Sequence, residues 1–221
     1  MQQLDANAYA ALIADAEVLS RDHMGDKVFA LPDGRILKLF RIKRRVTSAR
    51  LWNYAQRFAS NARQLQKRGF RTVAVEAVFN IPHIDRQGVL YRPLAGTTLR
   101  DSMRAHFDQA IMNRYAEYIA ALHDKGVYFR AMHMNNVLVC EDGSFGIIDM
   151  ADMRIRPWHV GLWKSLRNFK HIINHNEADI LWKTNMFRFR QHYLQARHLN
   201  ALSKKLLQSK LPAYMKLPCP L

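Results

Sequence analysis

Cysteine is scarce: Cys140 and Cys219 are the only two in 221 residues, they lie far apart, and neither has metal-ligand spacing around it. A disulfide framework is thereby disfavoured, and a reducing compartment is the default. Acids are also few, 18 Asp and Glu against 34 Lys and Arg, which leaves a net charge of +16 and a pI near 10.2. Such a field attracts polyanions, whether nucleic acid, anionic lipid head groups, or phosphorylated and carboxylated sugars. Long hydrophobic runs are missing. The apolar stretch over 8–14 is bracketed by Asp5 and Asp15, lacks a basic leader and is too short to span a bilayer, so an ordinary helix in a cytoplasmic protein is expected. There is no internal repeat and no low-complexity segment. What remains is 49% hydrophobic, enough for one large domain or two closely packed lobes.

Periodicity predicts a helix over 7–20, with Leu12, Ala16 and Leu19 on one face. A hairpin follows, 27–31 and 35–40 joined through Pro32-Asp33-Gly34, where the Asp-Gly pair supplies the turn. The basic run Arg41, Lys43, Arg44 and Arg45 reads as a loop, and 48–67 as a long helix ended by Gly69. Strands are expected over 73–81 and 88–92, and a connector over 93–96. Thr98 and Asp101 have capping-box spacing at the start of a helix. A further helix spans 108–125, with Ile111, Tyr115, Tyr118, Ile119 and Leu122 at helical spacing and Gly126 as its stop. From His159 on, the chain reads as helical, aromatic and basic, broken at Pro212. Strands and one helix, a connector, then helices around a small hairpin make a two-lobe α+β pattern.

That small hairpin carries the chemistry. Residues 128–136 read as a polar loop, 137–139 as a short apolar strand, 141–144 as a tight turn, and 145–149 as a second apolar strand ending in an acid. Such a hairpin brings its ends together, so the oxygens of Asn136 and Asp149 can reach one cation, and both suit Mg²⁺. The bland alternative is a buried Asp accepting backbone hydrogen bonds beside a turn Asn. Lys38 stands mid-strand with Ile36 and Phe40 on the same face, where it needs an anion or a route to water. A nucleotide phosphate would satisfy it; an outward, solvated lysine is the alternative. His133 could bond Asp149 or a phosphate, although a lone His is more often structural. Asp152 could serve as a further ligand, a substitute base or a loop cap. A second basic group, Lys164, Arg167, Lys170, Lys183, Arg188 and Arg190, is interleaved with Trp158, Trp163, Phe169, Trp182 and Phe187. It suits a membrane surface or sugar phosphates. Nucleic acid would also fit the charge, but no helix-turn-helix, zinc or RNA-binding signature accompanies it. A solvated face over core aromatics accounts for at least half of these cations.

Together these residues resemble the bacterial lipopolysaccharide kinase family of Kdo and heptose kinases, in the branch labelled toluene-tolerance proteins. The resemblance runs over 27–156 and is most specific over 121–154. The family loop of the type His-x-Asp-Leu-His-x-x-Asn falls on Phe129-Arg-Ala-Met-His-Met-Asn-Asn136, which puts its second His on His133 and its Asn on Asn136. The metal-binding Asp falls on Asp149 and the nucleotide Lys on Lys38. The resemblance implies a protein-kinase-like α+β fold, with a small N-terminal β lobe over 1–93 and a mainly helical C-terminal lobe over 97–221. It also implies ATP and Mg²⁺ as cofactors. Lys38, Asn136 and Asp149 would then bind nucleotide, Asn136 and Asp149 would hold the metal, and Asp149, His133 and Asp152 are the catalytic candidates. The implied acceptor is an inner-core lipopolysaccharide sugar or another anionic glycolipid at the cytoplasmic membrane face, with peripheral membrane contact.

Four departures from the family pattern bear on activity. Phe129 stands for the loop His, Ala131 for the base Asp, and Asn61 near the place of the helix Glu that would partner Lys38. The glycine-rich phosphate loop is missing, with Gly25 alone near its position. A positioned base contributes roughly 10²–10⁴-fold, while phosphoryl transfer rests mainly on positioning and electrostatics. Two functions therefore stand side by side: a divergent sugar kinase, and a pseudokinase that binds nucleotide or glycolipid and regulates envelope assembly.

Overall fold

The computed structural model describes residues 1–23, 25–41, 53–173 and 175–216. The chain is α+β, with a β-sheet in its N-terminal part and a mainly helical C-terminal part, as expected. It divides into two compact units. One is Met1–Leu94 together with Asp149–Asp152; the other is Ala95–Ile148 together with the described residues from Met153 on.

The N-terminal unit contains β1 (Gln2–Gln3), α1 (Ala6–Ile13), β2 (Glu17–Asp22), β3 (Gly25–Ala30), β4 (Ile36–Arg41), α2 (Tyr54–Lys67), β5 (Arg71–Thr72), β6 (Ala74–Ile81) and β7 (Arg86–Arg92). Its main sheet has the order β1-β6-β7-β4-β3-β2, with β1 parallel to β6 and the other pairs antiparallel. Side chains alternate across β4 with a period of two. Leu37 and Leu39 join Phe29, Phe79, Ile81 and Leu90 in a buried cluster, onto which Tyr9, Leu12 and Ile13 of α1 pack. Lys38 and Phe40 point to the other face, where the Phe40 and Phe58 rings lie 5.8 Å apart and α2 buries Phe58, Asn61, Ala62 and Leu65. The β3–β4 turn is built by Asp33 and Gly34. The Asp33 carboxylate accepts from the Arg35 amide at 3.0 Å, and Gly34 takes φ 80°, which suits a residue without Cβ.

Two expectations are corrected in this unit. The helix over 7–20 ends at Ile13, and 17–22 forms an edge strand on β3 instead. Backbone pairing with β3 outweighs the helical spacing, and Leu19, placed on the helix's buried face by periodicity, is 52% exposed. The helix expected from 48 begins at Tyr54, capped by the Asn53 side chain, which accepts from the Gln56 amide at 2.8 Å. Residues 48–52 and the basic run at 43–45 lie outside the described residues.

The C-terminal unit contains β8 (Thr97–Thr98), α3 (Leu99–Ala105), α4 (Gln109–Asp124), β9 (Val127–Phe129), β10 (Val137–Val139), β11 (Phe145–Ile147), β12 (Met153–Ile155), α5 (Leu162–Ile172), α6 (Ala178–Lys183), α7 (Met186–Ala196) and α8 (Ala201–Tyr214). Thr98 caps α3: the Asp101 amide donates to the Thr98 hydroxyl at 3.1 Å, and that hydroxyl donates to the Asp101 carboxylate at 2.6 Å. α4 buries Tyr115, Ile119, Leu122 and His123 and packs on α7, with the Tyr115 and Phe189 rings 6.2 Å apart. β10 and β11 pair antiparallel as the expected hairpin, and β8 adds to β10. Two readings are corrected here. Val127–Phe129, read partly as loop, is a strand paired with β12. Pro212 does not break the last helix, which continues to Tyr214. Proline removes a single N–H there, and the helix ends two residues later.

Candidate functional site

Lys38 is buried, only 9% exposed, and its ammonium donates to Asp149 Oδ1 at 2.6 Å. The solvated-lysine alternative therefore fails. The Phe40 and Phe58 ring centroids, each 5.7 Å from Nζ, complete its surroundings. Asp149 has φ 56°, a left-handed conformation that a non-glycine residue keeps only where its surroundings enforce it. One enforcing contact is visible: the Asn61 side-chain amide, buried in α2, donates to the Met150 carbonyl at 2.7 Å. The residue near the place of a lysine-binding Glu thus tethers the backbone beside Asp149, and Lys38 takes Asp149 itself as its carboxylate partner.

The pair opens into a cavity of about 280 Å³ within the N-terminal unit. Its lining includes Lys27, Lys38, Arg41 and Arg86 as cations and Asp22, Asp26, Asp149 and Asp152 as anions. Arg41 pairs with Asp22 at 2.6 Å. Tyr91 lies near Asp149, and burial first, then the Asp149 charge, pushes its hydroxyl pKa up, so it stays a neutral group. Asp152 is exposed and shares the cavity with Asp149. Among the described residues no group of three or more His, Cys, Asp or Glu side chains is arranged to hold a metal. Mg²⁺ commonly uses one or two carboxylates and completes its octahedron with phosphate oxygens and water. The half-exposed Asp149 carboxylate and Asp152, in one cavity, fit that demand.

His133 and Asn136 belong to the C-terminal unit. The Asn136 side-chain amide donates to the Ala131 carbonyl at 2.9 Å and lies 3.2 Å from His133 Nε2. The Ile148 amide donates to the Asn136 carbonyl at 3.0 Å, continuing the β10–β11 ladder to the residue before Asp149. Asn136 therefore shapes the loop 131–136. The expected site residues fall into two groups, Lys38, Asp149 and Asp152 in one cavity, and His133 with Asn136 in one loop.

The aromatics of the second basic group divide unevenly. Phe169 is fully buried, whereas Trp158, Trp163, Trp182 and Phe187 are each at least half exposed. Core packing explains one of the five. Sequence reasoning missed Asp22, Asp26, Tyr54 and Arg86, which line the Lys38 cavity, and the Asn61 tether. Register on the sheet brings Arg86 opposite Arg41, a signal available only once the strand pairing is known.

No protein-family profile matches the chain, and no curated protein matches it. Among solved structures it is similar to WbdD bound to a kinase inhibitor, at 17% identity and TM-score 0.49, covering 87% of this chain and 44% of that one. It is also similar to a structure described as the bifunctional kinase-methyltransferase WbdD, at 15% identity and TM-score 0.46, covering 83% of this chain and 46% of that one. Monomeric WbdD matches at 17% identity and TM-score 0.48, covering 83% and 44%. The chain spans less than half the length of these structures.

Proposed function

We propose that this chain is a divergent ATP-dependent kinase that phosphorylates a sugar of the lipopolysaccharide inner core at the cytoplasmic membrane face. The observation that carries the reading is the Lys38–Asp149 pair, an ammonium and a carboxylate 2.6 Å apart at the mouth of a charged cavity, with Asp149 held in a left-handed conformation. Lys38 would neutralise nucleotide phosphate oxygens, and the aromatic faces of Phe40 and Phe58 keep its ammonium in place. Asp149, its half-exposed carboxylate on the cavity, would hold Mg²⁺. Bound there, the metal would supply charge neutralisation for the transferred phosphoryl group. With Ala131 at the base position, Asp152 is the acid available to take the acceptor proton. Exposed Trp163, Trp182 and Phe187 among lysines and arginines support a peripheral contact with an anionic lipid surface.

A second reading, a pseudokinase that holds nucleotide or glycolipid and regulates envelope assembly, is favoured by one specific observation: Lys38 is already matched by Asp149, so phosphate must compete for it. The deciding assay follows ATP consumption with Mg²⁺ and core glycolipid. The kinase reading expects glycolipid-stimulated turnover that Asp149→Ala abolishes. Binding of nucleotide or glycolipid without turnover selects the pseudokinase, and absence of turnover and of both kinds of binding removes the two readings together.

A further inference from the structure

The C-terminal unit has a cavity that the nucleotide reading does not use. It measures about 290 Å³ and is lined by Arg130, Arg154, Arg156, Lys164 and Arg167, with His159 and His171, and without one carboxylate. Several arginines elsewhere pair with acids: Arg35 with Asp33 and Glu76, Arg104 with Asp179, and Arg197 with Asp124. Among the described residues, Arg130, Arg154, Lys164 and Arg167 have no such partner. Like charges gathered around one concavity repel each other, and an anion relieves that repulsion.

The walls are held rigidly. The Arg156 amide donates to the Gly126 carbonyl at 3.0 Å, and the Val160 amide donates to the His123 carbonyl at 2.7 Å. Buried Arg197 and Ser165 both donate to the Val160 carbonyl, at 3.2 Å each. Gly126 sits at φ 75° so close to the strap over 156–158 that a Cβ there would lie 2.2 Å from the Arg156 carbonyl oxygen. α5 opens at Gly161, which lines the cavity and provides no side-chain cap, so the positive end of an 11-residue helix adds to the field. Burial first, then the Arg130 and Arg167 charges, hold the His171 imidazole below its ordinary pKa. At the rim, Trp158 is 59% exposed, with the Arg156 guanidinium 5.6 Å from its ring.

We propose that this cavity is a binding site for a phosphorylated carbohydrate, with the phosphate among Arg130, Arg154 and Arg167 and an apolar sugar face on the Trp158 indole. Guanidinium groups match phosphate with paired donors, and an exposed indole offers a flat amphipathic platform. The site lies wholly within the C-terminal unit and does not depend on the Lys38 cavity being a nucleotide site.

The test is calorimetric titration of the full chain with glucose 6-phosphate, glucose and inorganic phosphate, alongside sedimentation with phosphatidic acid vesicles. The variants are Arg154→Glu, Arg167→Glu and Trp158→Ala, all at exposed positions, with circular dichroism confirming the fold. Glucose 6-phosphate is expected to bind more tightly than inorganic phosphate, and glucose not at all. Each charge reversal should weaken binding about tenfold or more, and Trp158→Ala should reduce it to the level of inorganic phosphate. Binding to vesicles alone would overturn the proposal in favour of a lipid surface. Equal binding of glucose 6-phosphate and inorganic phosphate, unaffected by Trp158→Ala, would overturn the carbohydrate assignment. No binding of any probe would overturn the site.

Discussion

At the scale of single residues, three buried polar groups, Lys38, Asn61 and His123, make side-chain hydrogen bonds within the units. Lys38 could be placed on its strand face by counting, because a period of two is unambiguous once β4 is recognised. Its partner could not, since the Lys38–Asp149 pair joins positions 111 apart in sequence. Asn61 tethers Met150, and Asn61→Ala should cost about 1–3 kcal/mol by leaving the Met150 carbonyl without that donor; chemical denaturation measures the loss. His123 is the third. Its Nδ1 lies 2.8 Å from the Tyr193 hydroxyl and its Nε2 3.0 Å from Asn168 Oδ1. Burial chiefly, then Arg197, pushes its pKa down to about 3 from 6.5. The unfolded chain therefore binds this proton more readily than the fold does. The stability tied to neutral His123 is complete above about pH 6.5 and falls with acidification toward pH 3, on the order of 1 kcal/mol per pH unit. Urea unfolding between pH 6.5 and 5, above the titration of most carboxylates, should show this slope, and His123→Gln should flatten it.

At the scale of elements, local chemistry was legible where a cap or turn acts alone. The Thr98 N-cap, the Asp33-Gly34 turn and the stop at Gly126 each follow from neighbouring residues. Thr98→Ala should lower stability by about 1 kcal/mol, visible as a reduced denaturant midpoint. Gly126→Ala should be far worse. It combines a left-handed backbone, about 1–2 kcal/mol for an L side chain, with a collision against the strap over 156–158. The expected outcome is loss of cooperative thermal unfolding. Where tertiary pairing decides, the sequence misled. Residues 17–22 carry helical spacing yet become an edge strand, because β3 offers a hydrogen-bonding partner that periodicity cannot reveal. Val127–Phe129 is a strand only because β12 pairs with it. Of the residues around the Lys38 cavity, Lys38 and Asp149 could be singled out from strand and hairpin patterning. The cavity acids Asp22 and Asp26 could not, since nothing local distinguishes them from surface charges.

At the scale of the whole molecule, the excess of positive charge is unevenly distributed. Part of it meets acids in the Lys38 cavity, and part is gathered, without acids, around the cavity beneath Trp158. No helix among the described residues is long and apolar enough to cross a membrane. On the proposed kinase reading, the Lys38–Asp149 cavity receives a magnesium-bound nucleoside triphosphate. The most direct test is a thermal-shift titration with ATP, with and without Mg²⁺, on the wild-type chain and on Asp149→Asn. Ligand that binds only the folded state raises the apparent midpoint. The expected result is a rise that requires both ATP and Mg²⁺ in the wild type and disappears in Asp149→Asn. A midpoint that ignores ATP, or that rises equally without Mg²⁺ and in the variant, would contradict it.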